Sequence, residues 1–377
     1  MKLIKKSKKL NNVLYDIRGP IVDRAKEMEA QGQQLIKLNI GNLASFDFQV
    51  PEEIQRDMIL NLPNSAGYSD SKGIFAARKA VMHYTQELGI RGVTLDDIYL
   101  GNGASDLISL ATNALLDEGD ELLIPMPDYP LWTATTSLSG GTPVHYLCDE
   151  ENGWQPDLDD IRAKITPRTR GIVIINPNNP TGRLIADDLL EEILRICREK
   201  NIALFVDECF LSLSDGGVDL TPSLSDFPQL FILKAFTKSF GMAGLRLGYG
   251  LSADEALLRK MSAAVPPWNV STLAQAAGVA ALGDVEFLEK NRTIIRAERP
   301  WLEEKLRKFG FWVCPSQVNY ILFRGDVGLT EQLRARGVAI RDCANFEGLT
   351  SGWYRVAVRQ YEENEQLIAA IRSVGKE

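Results

Sequence analysis

The chain has 377 residues, 45% of them hydrophobic and 24% charged, with a formal net charge of −8. That length leaves room for a large core and for two or three domains of roughly 100–200 residues each. The acidic balance argues against sequence-independent binding of nucleic-acid phosphates. No apolar run approaches the ~18 residues that suggest a membrane span.

The basic start, MKLIKKSKKL, lacks the apolar stretch of a secretory signal and reads as a solvated arm. The five cysteines, Cys148, Cys197, Cys209, Cys314 and Cys343, are scattered and form no Cys-x-x-Cys pair. This pattern disfavours disulfide or metal frameworks and fits a reduced, cytoplasmic setting. The two histidines, His83 and His145, carry no motif around them. A His-based triad or zinc site is therefore not expected, and any catalysis must run on other groups.

In chain order, residues 1–44 are expected to form an arm that packs on a small domain. A large domain follows over residues 45–281. Its middle alternates helical and strand patterns. DLISLATNALLDEG (106–119) predicts a helix ending near Gly119, and ELLIP (121–125) a short buried strand. GIVIIN (171–176) and IALFVDE (202–208) predict further buried strands. Between them, DDLLEEILRICREKN (187–201) predicts an amphipathic helix, and LFILKAF (230–236) is another apolar run. Such alternation predicts an α/β fold with a mostly parallel sheet covered on both faces. From residue 282 the pattern changes to a smaller α+β domain. It has a long charged helix (286–310), strands in FWVCPSQVNYILF (311–323), VAIRD (338–342) and WYRVAV (353–358), and a last helix (362–374).

Several motifs in the large domain point to chemistry, each with a plainer alternative. GNGASDLI (101–108) places Gly-Ala-Ser before a helix, which suits a phosphate but also an ordinary cap. NPNNPTG (176–182) follows a strand, where open α/β sheets bind ligands, yet its residues also favour simple turns. Asp207 ends an apolar strand and is costly unless paired; it is either a cap or the partner of a protonated ring nitrogen. Lys238 sits among apolar and small residues in KAFTKSFGMAGLRLGYG (234–250), with Arg246 eight residues on. Burial and a nearby cation would lower its pKa and make the amine nucleophilic. Arg246 can hold a phosphate in a two-pronged grip. Lys234 competes with Lys238 on position alone.

The order of these motifs resembles the class I/II pyridoxal-phosphate aminotransferases over nearly the whole chain. That resemblance implies a fold-type I architecture: a large domain with a mostly parallel seven-stranded sheet, plus a smaller α+β domain. It implies pyridoxal 5'-phosphate held by Lys238 as a Schiff base, with Lys238 also moving protons. Asp207 would pair the ring nitrogen and Asn179 the ring hydroxyl oxygen. Tyr129 would stack on the ring, and Ala104, Ser105 and Arg246 would hold the phosphate. Tyr68, in GYSDSKG, would reach the phosphate of a neighbouring subunit, which implies a homodimer with shared active sites. Arg355, in WYRVAVRQYEEN, would bind the substrate α-carboxylate, with Arg359 as its competitor. Gly41, in NIGN, Tyr15, in YDIRG, and Asn179 would face the substrate. The implied reaction moves an amino group between an amino acid, or an amino-acid-like phosphate, and a 2-oxo acid. The alternative is decarboxylation of a threonine-phosphate-like substrate.

This chain departs from the family pattern in two places. Phe210 stands where the family often has a tyrosine, and Ala235 where a hydroxyl residue commonly precedes the lysine. The resemblance also shifts along the chain. From YDIRGP to PNNPTG it is to bacterial alanine-type aminotransferases. From DECF onward it is to histidinol-phosphate aminotransferases and threonine-phosphate decarboxylases.

Overall fold

A computed structural model describes residues 7–10, 13, 28, 30, 32, 35–41 and 50–375. Tyr15 lies outside these residues. A two-residue strand, β1 (Ile36–Lys37), comes first. Eight strands then build the main sheet: β2 (Ile98–Gly101), β3 (Glu121–Met126), β4 (Thr142–Asp149), β5 (Gln155–Pro156), β6 (Thr169–Ile175), β7 (Ala203–Asp207), β8 (Leu230–Ala235) and β9 (Gly248–Leu251). Their order across the sheet is β2-β9-β8-β7-β6-β3-β4-β5. The seven longer strands make the expected sheet, and β5 adds a two-residue antiparallel edge. Among the seven, only β9 runs opposite to the common direction.

The near-continuous apolar runs explain the centre of the sheet. In β7 every residue is buried, and so is every residue of β6 except Arg170. Strands covered on both faces read this way. Ile175 pairs with Asp207 and Asp207 with Leu233, so β6, β7 and β8 end side by side. That register places Asn176, Asp207 and the start of the Lys238 segment along one edge.

The helix over Asp187–Lys200 buries Leu190, Ile193, Leu194 and Cys197, a stripe at helical spacing. Asp187 and Asp188 open it, Arg198 and Lys200 close it, and Asn201 ends it in the left-handed conformation. The helix expected over 106–119 spans Ala104–Leu115 instead. Leu116 is already extended, and Gly119 serves a turn in which Asp120 N–H donates to the Asp117 carbonyl at 3.1 Å. A short turn before β3 thus won over continuation of the helix.

The rest of the chain forms a second sheet, in the order β10-β11-β14-β13, from β10 (Trp312–Val313), β11 (Tyr320–Arg324), β13 (Arg341–Asp342) and β14 (Trp353–Ala357). It is antiparallel throughout. The segment 311–323 is not one strand, because Pro315 removes a ladder donor and the chain loops out between β10 and β11. VAIRD likewise divides into β12 (Val338–Ala339) and β13. Strand β1 pairs in parallel with β12, and Leu38 is buried in a core with Leu302, Ile321, Leu333 and Val356. The helices Val285–Lys308 and Tyr361–Val374 also contribute to this core. Among the described residues, no helix is long and apolar enough to cross a membrane.

Close strand contact needs a glycine at position 250. A Cβ there would meet Cζ of the fully buried Phe231 at 2.5 Å. Gly250→Ala should therefore cost about 1–3 kcal/mol of stability, read as a lower urea midpoint at unchanged slope. An unchanged midpoint would show that the β8–β9 contact is looser than this.

Candidate active site

The ends of β6, β7 and β8 open into a cavity of about 380 Å³ that the second sheet closes from the far side. Its lining includes Gly41, Ala104, Ser105, Tyr129, Asn179, Asp207, Lys238, Arg246 and Arg355. Nearly all the residues singled out from the sequence thus meet in one place.

Lys238 lies in a four-residue helix, Phe236–Ser239, directly after β8. Burial, reinforced by the Arg355 and Arg246 guanidiniums, pulls its pKa down to about 8. Its Nζ sits 5.3 Å from the centre of the Phe210 ring. Lys234 is placed quite differently. Its Nζ donates to Glu208 at 2.6 Å and Asp219 at 2.7 Å, and it faces a separate cavity behind the Lys238 segment. Burial works to neutralise Lys234, but the two carboxylates outweigh it and hold the ammonium well above the ordinary lysine range. The structure thus separates a reactive amine from a locked cation.

Asp207 is buried, and burial raises its carboxyl above the usual range. The Cys209 N–H donates to Oδ1 at 3.1 Å and the Trp132 indole N–H to Oδ2 at 3.4 Å. These donors, with Lys238 nearby, partly restore the charged form.

NPNNPTG is a built loop. Asn178 Oδ1 accepts from the Thr181 N–H at 3.2 Å and the Thr181 hydroxyl at 2.9 Å, and its Nδ2 donates to the Pro127 carbonyl at 3.1 Å. The Tyr320 hydroxyl donates to the Asn178 carbonyl at 2.8 Å. Gly182, at φ +71°, passes so close to Ser316 that a side chain would collide with it. The loop holds Asn179 with its Oδ1 accepting from Arg355 Nη1.

Gly103, at φ +84°, brings the chain into the helix Ala104–Leu115, whose first turn has no side-chain cap. Free backbone N–H groups there suit an anion. Side chains are excluded around it: a Cβ at Gly103 would meet Arg246 Nη2 at 2.7 Å, and one at Gly248 the Ala104 nitrogen at 2.8 Å. Arg246 itself takes a left-handed backbone, φ +58°.

Two arginines close the cavity. Arg355 and Arg341 are direct cross-strand neighbours on β14 and β13. Arg355 lies over the Tyr320 ring, 5.2 Å from its centre, and Nη2 reaches the Asn39 carbonyl at 3.3 Å. Arg341 donates to Asn345 Oδ1 at 2.9 Å and lies over Phe346. Burial, with Arg355 beside it, lowers the Arg341 pKa. Arg359 does not join them. It is buried, donates to the Lys37 carbonyl at 2.6 Å and is absent from the cavity lining.

Sequence reasoning missed Arg341, Tyr320, Trp132 and Phe346. Arg341 carried the same signal as Arg355, a charge inside a strand-like segment. The other three looked like ordinary core aromatics. Tyr68 is not brought to this cavity; it is 82% exposed and stacks on Trp268. Gly41 lines the cavity, but a Cβ there would meet Asn319 at an ordinary 3.7 Å. His145 is held by Thr133, which also donates to Asp128, outside the cavity. Among the described residues no group of three or more His, Cys, Asp or Glu is placed to hold a metal ion.

The family described as aminotransferase class I and II matches residues 33–371. The chain belongs to that family. Among class I and II relatives, it is 53% identical over 251 residues to glutamate-pyruvate aminotransferase AlaA of Escherichia coli strain K12, covering 66% of this chain. That match spans 62% of the relative's length. An aminotransferase from Escherichia coli has the same fold, with a TM-score of 0.89 at 38% identity over 99% of each chain. The histidinol-phosphate aminotransferase of Clostridium acetobutylicum superposes with a TM-score of 0.81 at 27% identity, covering 91% of this chain and 99% of the other. Both kinds of aminotransferase named from the sequence are therefore found among its relatives.

The contrast between the lysines is directly testable. A limiting amount of a small amine-specific reagent at pH 8 to 9 should label Lys238 and spare Lys234, as read by peptide mass mapping. Modification rising around pH 8, rather than near the ordinary lysine value of about 10.4, would match the lowered pKa. Preferential label on Lys234 would overturn the assignment.

Proposed function

We propose that this chain is a pyridoxal-phosphate-dependent aminotransferase. The observation that carries this is Lys238, a buried amine of lowered pKa, opening with Asp207 onto one cavity that also holds a helix-terminus anion cradle. The donor set suits the cofactor. Asp207 keeps acceptor capacity for a protonated ring nitrogen, and the glycines at 103 and 248 leave the cradle free of side chains. When bound, the cofactor supplies an electron sink for electrons released at the substrate α-carbon.

The chain's own residues do the rest. Lys238 would hold the cofactor through Nζ and, once released, would take the proton from the substrate α-carbon and return it two atoms along, a 1,3-shift. Asp207 holds the ring nitrogen protonated. Because Asn179 spends Oδ1 on Arg355, its amide N–H₂ is left to donate to the ring hydroxyl oxygen. Tyr129 covers the ring face. Ala104, Ser105 and Arg246 bind the phosphate, joined by Tyr68 of the partner subunit in a homodimer. Arg355 grips the α-carboxylate and orients the Cα–H bond for cleavage. Gly41 and Asn179 face the substrate. The substrates are small molecules, an L-amino acid and a 2-oxo acid.

Arg341 extends this picture. Its described polar partner is a neutral amide, so it is available to a second anionic group. That favours acidic or phosphorylated amino compounds over simple apolar ones, and it keeps the decarboxylase reading alive for a phosphorylated amino acid. We also infer the division into 1–44 with 282–377, and 45–281, which the β1–β12 pairing supports. The free cysteines support a reduced, cytoplasmic setting.

The deciding experiment mixes the cofactor-loaded protein with alanine, glutamate, histidinol phosphate and threonine phosphate, and separates oxo product from CO₂. Oxo product with an amino acid supports transamination. CO₂ from threonine phosphate supports the alternative, and neither product overturns both. Arg355→Ala should raise KM for every amino acid by roughly 10- to 100-fold, the value of a charge-assisted pair. Arg341→Ala should raise KM mainly for substrates with a second anionic group. An unchanged KM in Arg355→Ala would remove it from carboxylate binding.

A further inference from the structure

Tyr68 and Trp268 form an exposed stack outside the cavity. Their rings lie 4.1 Å apart at 16°, yet the residues remain 82% and 52% exposed. Neither lines the cavity. Trp268 adopts φ +61°, a backbone conformation that is costly for a bulky side chain and persists only where neighbours enforce it.

The neighbours do enforce it. The Trp268 N–H donates to Ser71 Oγ at 3.3 Å, and the Ser69 hydroxyl donates to the Val270 carbonyl at 3.1 Å. Gln275, fully buried, donates to Ser69 Oγ at 3.3 Å and to the Val270 carbonyl at 3.0 Å, and accepts from the Ile74 N–H at 2.6 Å. Asn269 donates to Asp106 Oδ2 at 2.7 Å, and that oxygen also accepts from the Asn102 N–H at 2.9 Å. The segments 68–74 and 266–271 are thus sewn together and anchored to the helix that begins the anion cradle. Ile59, Leu60, Leu62 and Phe75 are exposed on the helical elements that pack with Thr272–Leu282, an apolar surface suited to a second copy of this chain.

We propose that Trp268 is a positioning residue that holds the Tyr68 ring so that its hydroxyl is presented to the phosphate site of the partner subunit. This rests on Tyr68 acting across a homodimer. An exposed phenol would otherwise sample several rotamers and lose that freedom on each engagement. A stacked platform removes the loss in advance.

The experiment titrates pyridoxal phosphate into Tyr68→Phe, Trp268→Ala, Trp268→Leu, Trp268→Phe and the Tyr68→Phe/Trp268→Ala double variant, following cofactor absorbance. Sedimentation confirms the dimer in each. Tyr68→Phe should weaken binding by about tenfold or more, as for a hydrogen bond to a charged group. Trp268→Ala should weaken it similarly, Trp268→Phe should restore it, and the double variant should be no worse than Tyr68→Phe alone. Mixed dimers of Trp268→Ala with Lys238→Ala should regain one site of parental affinity, since an intact Trp268 then serves the intact lysine. If Trp268→Ala does not dimerise, the comparison of Leu with Phe decides. Parental affinity in the Trp268 variants alongside a weakened Tyr68→Phe, or additive losses in the double variant, would overturn the role of Trp268 and leave the dimer reading standing. Parental affinity in Tyr68→Phe would instead overturn the reading beneath it.

Discussion

Four cationic side chains, Lys238, Arg246, Arg341 and Arg355, line the cavity with a single carboxylate, Asp207. Cations shielded from water without counter-ions repel one another and are poorly solvated. The structure tolerates this because each is held by something weaker than a carboxylate: Arg355 by Asn179 and the Asn39 carbonyl, Arg341 by Asn345, Arg246 by the Ala243 carbonyl. Lys238 responds by giving up its proton more readily. A reactive amine and a preference for anionic ligands thus follow from one electrostatic imbalance. Anions that enter should also stabilise the folded chain by mass action.

The two strands carrying the chemistry show how sharply environment separates similar residues. Asp207 and Glu208 are consecutive, so they project to opposite sides. One meets the cavity; the other meets Lys234 and the Leu220 N–H. Lys234 ends in a closed ion cluster, while Lys238, four residues on and past the end of β8, ends beside guanidiniums. Composition alone does not distinguish the members of either pair.

This explains what was legible in the sequence. The apolar runs GIVIIN, IALFVDE and LFILKAF announced β6, β7 and β8, because strands buried on both faces have no room for alternation. The residues that follow them were exposed to view by the same contrast, a carboxylate or an amine after uninterrupted apolar chain. Strand β9 was hidden because glycines at 248 and 250 suppress strand propensity while the close packing against Ala104 and Phe231 requires them. Arg341 was hidden because its meaning depends on register: only pairing β13 with β14 sets it beside Arg355. Tyr320 and Trp132 carry no local signal, since an aromatic that donates one hydrogen bond looks like any core aromatic until its partner is known.

The hydrogen bond from Arg355 to Asn179 has a further consequence. It joins the second sheet to the loop after β6, so a carboxylate can take the full fork of Arg355 only by displacing the amide oxygen. Binding there is an exchange, and its yield is the difference between two partners rather than the strength of one. A charged ligand outbids the amide; a neutral isostere barely breaks even. The freed Asn179 oxygen must then find another donor, so occupancy on the arginine side is registered on the asparagine side. With Arg355 in the proposed carboxylate-binding role, uncharged analogues would be disfavoured through competition from the site's own side chain, with no steric barrier needed.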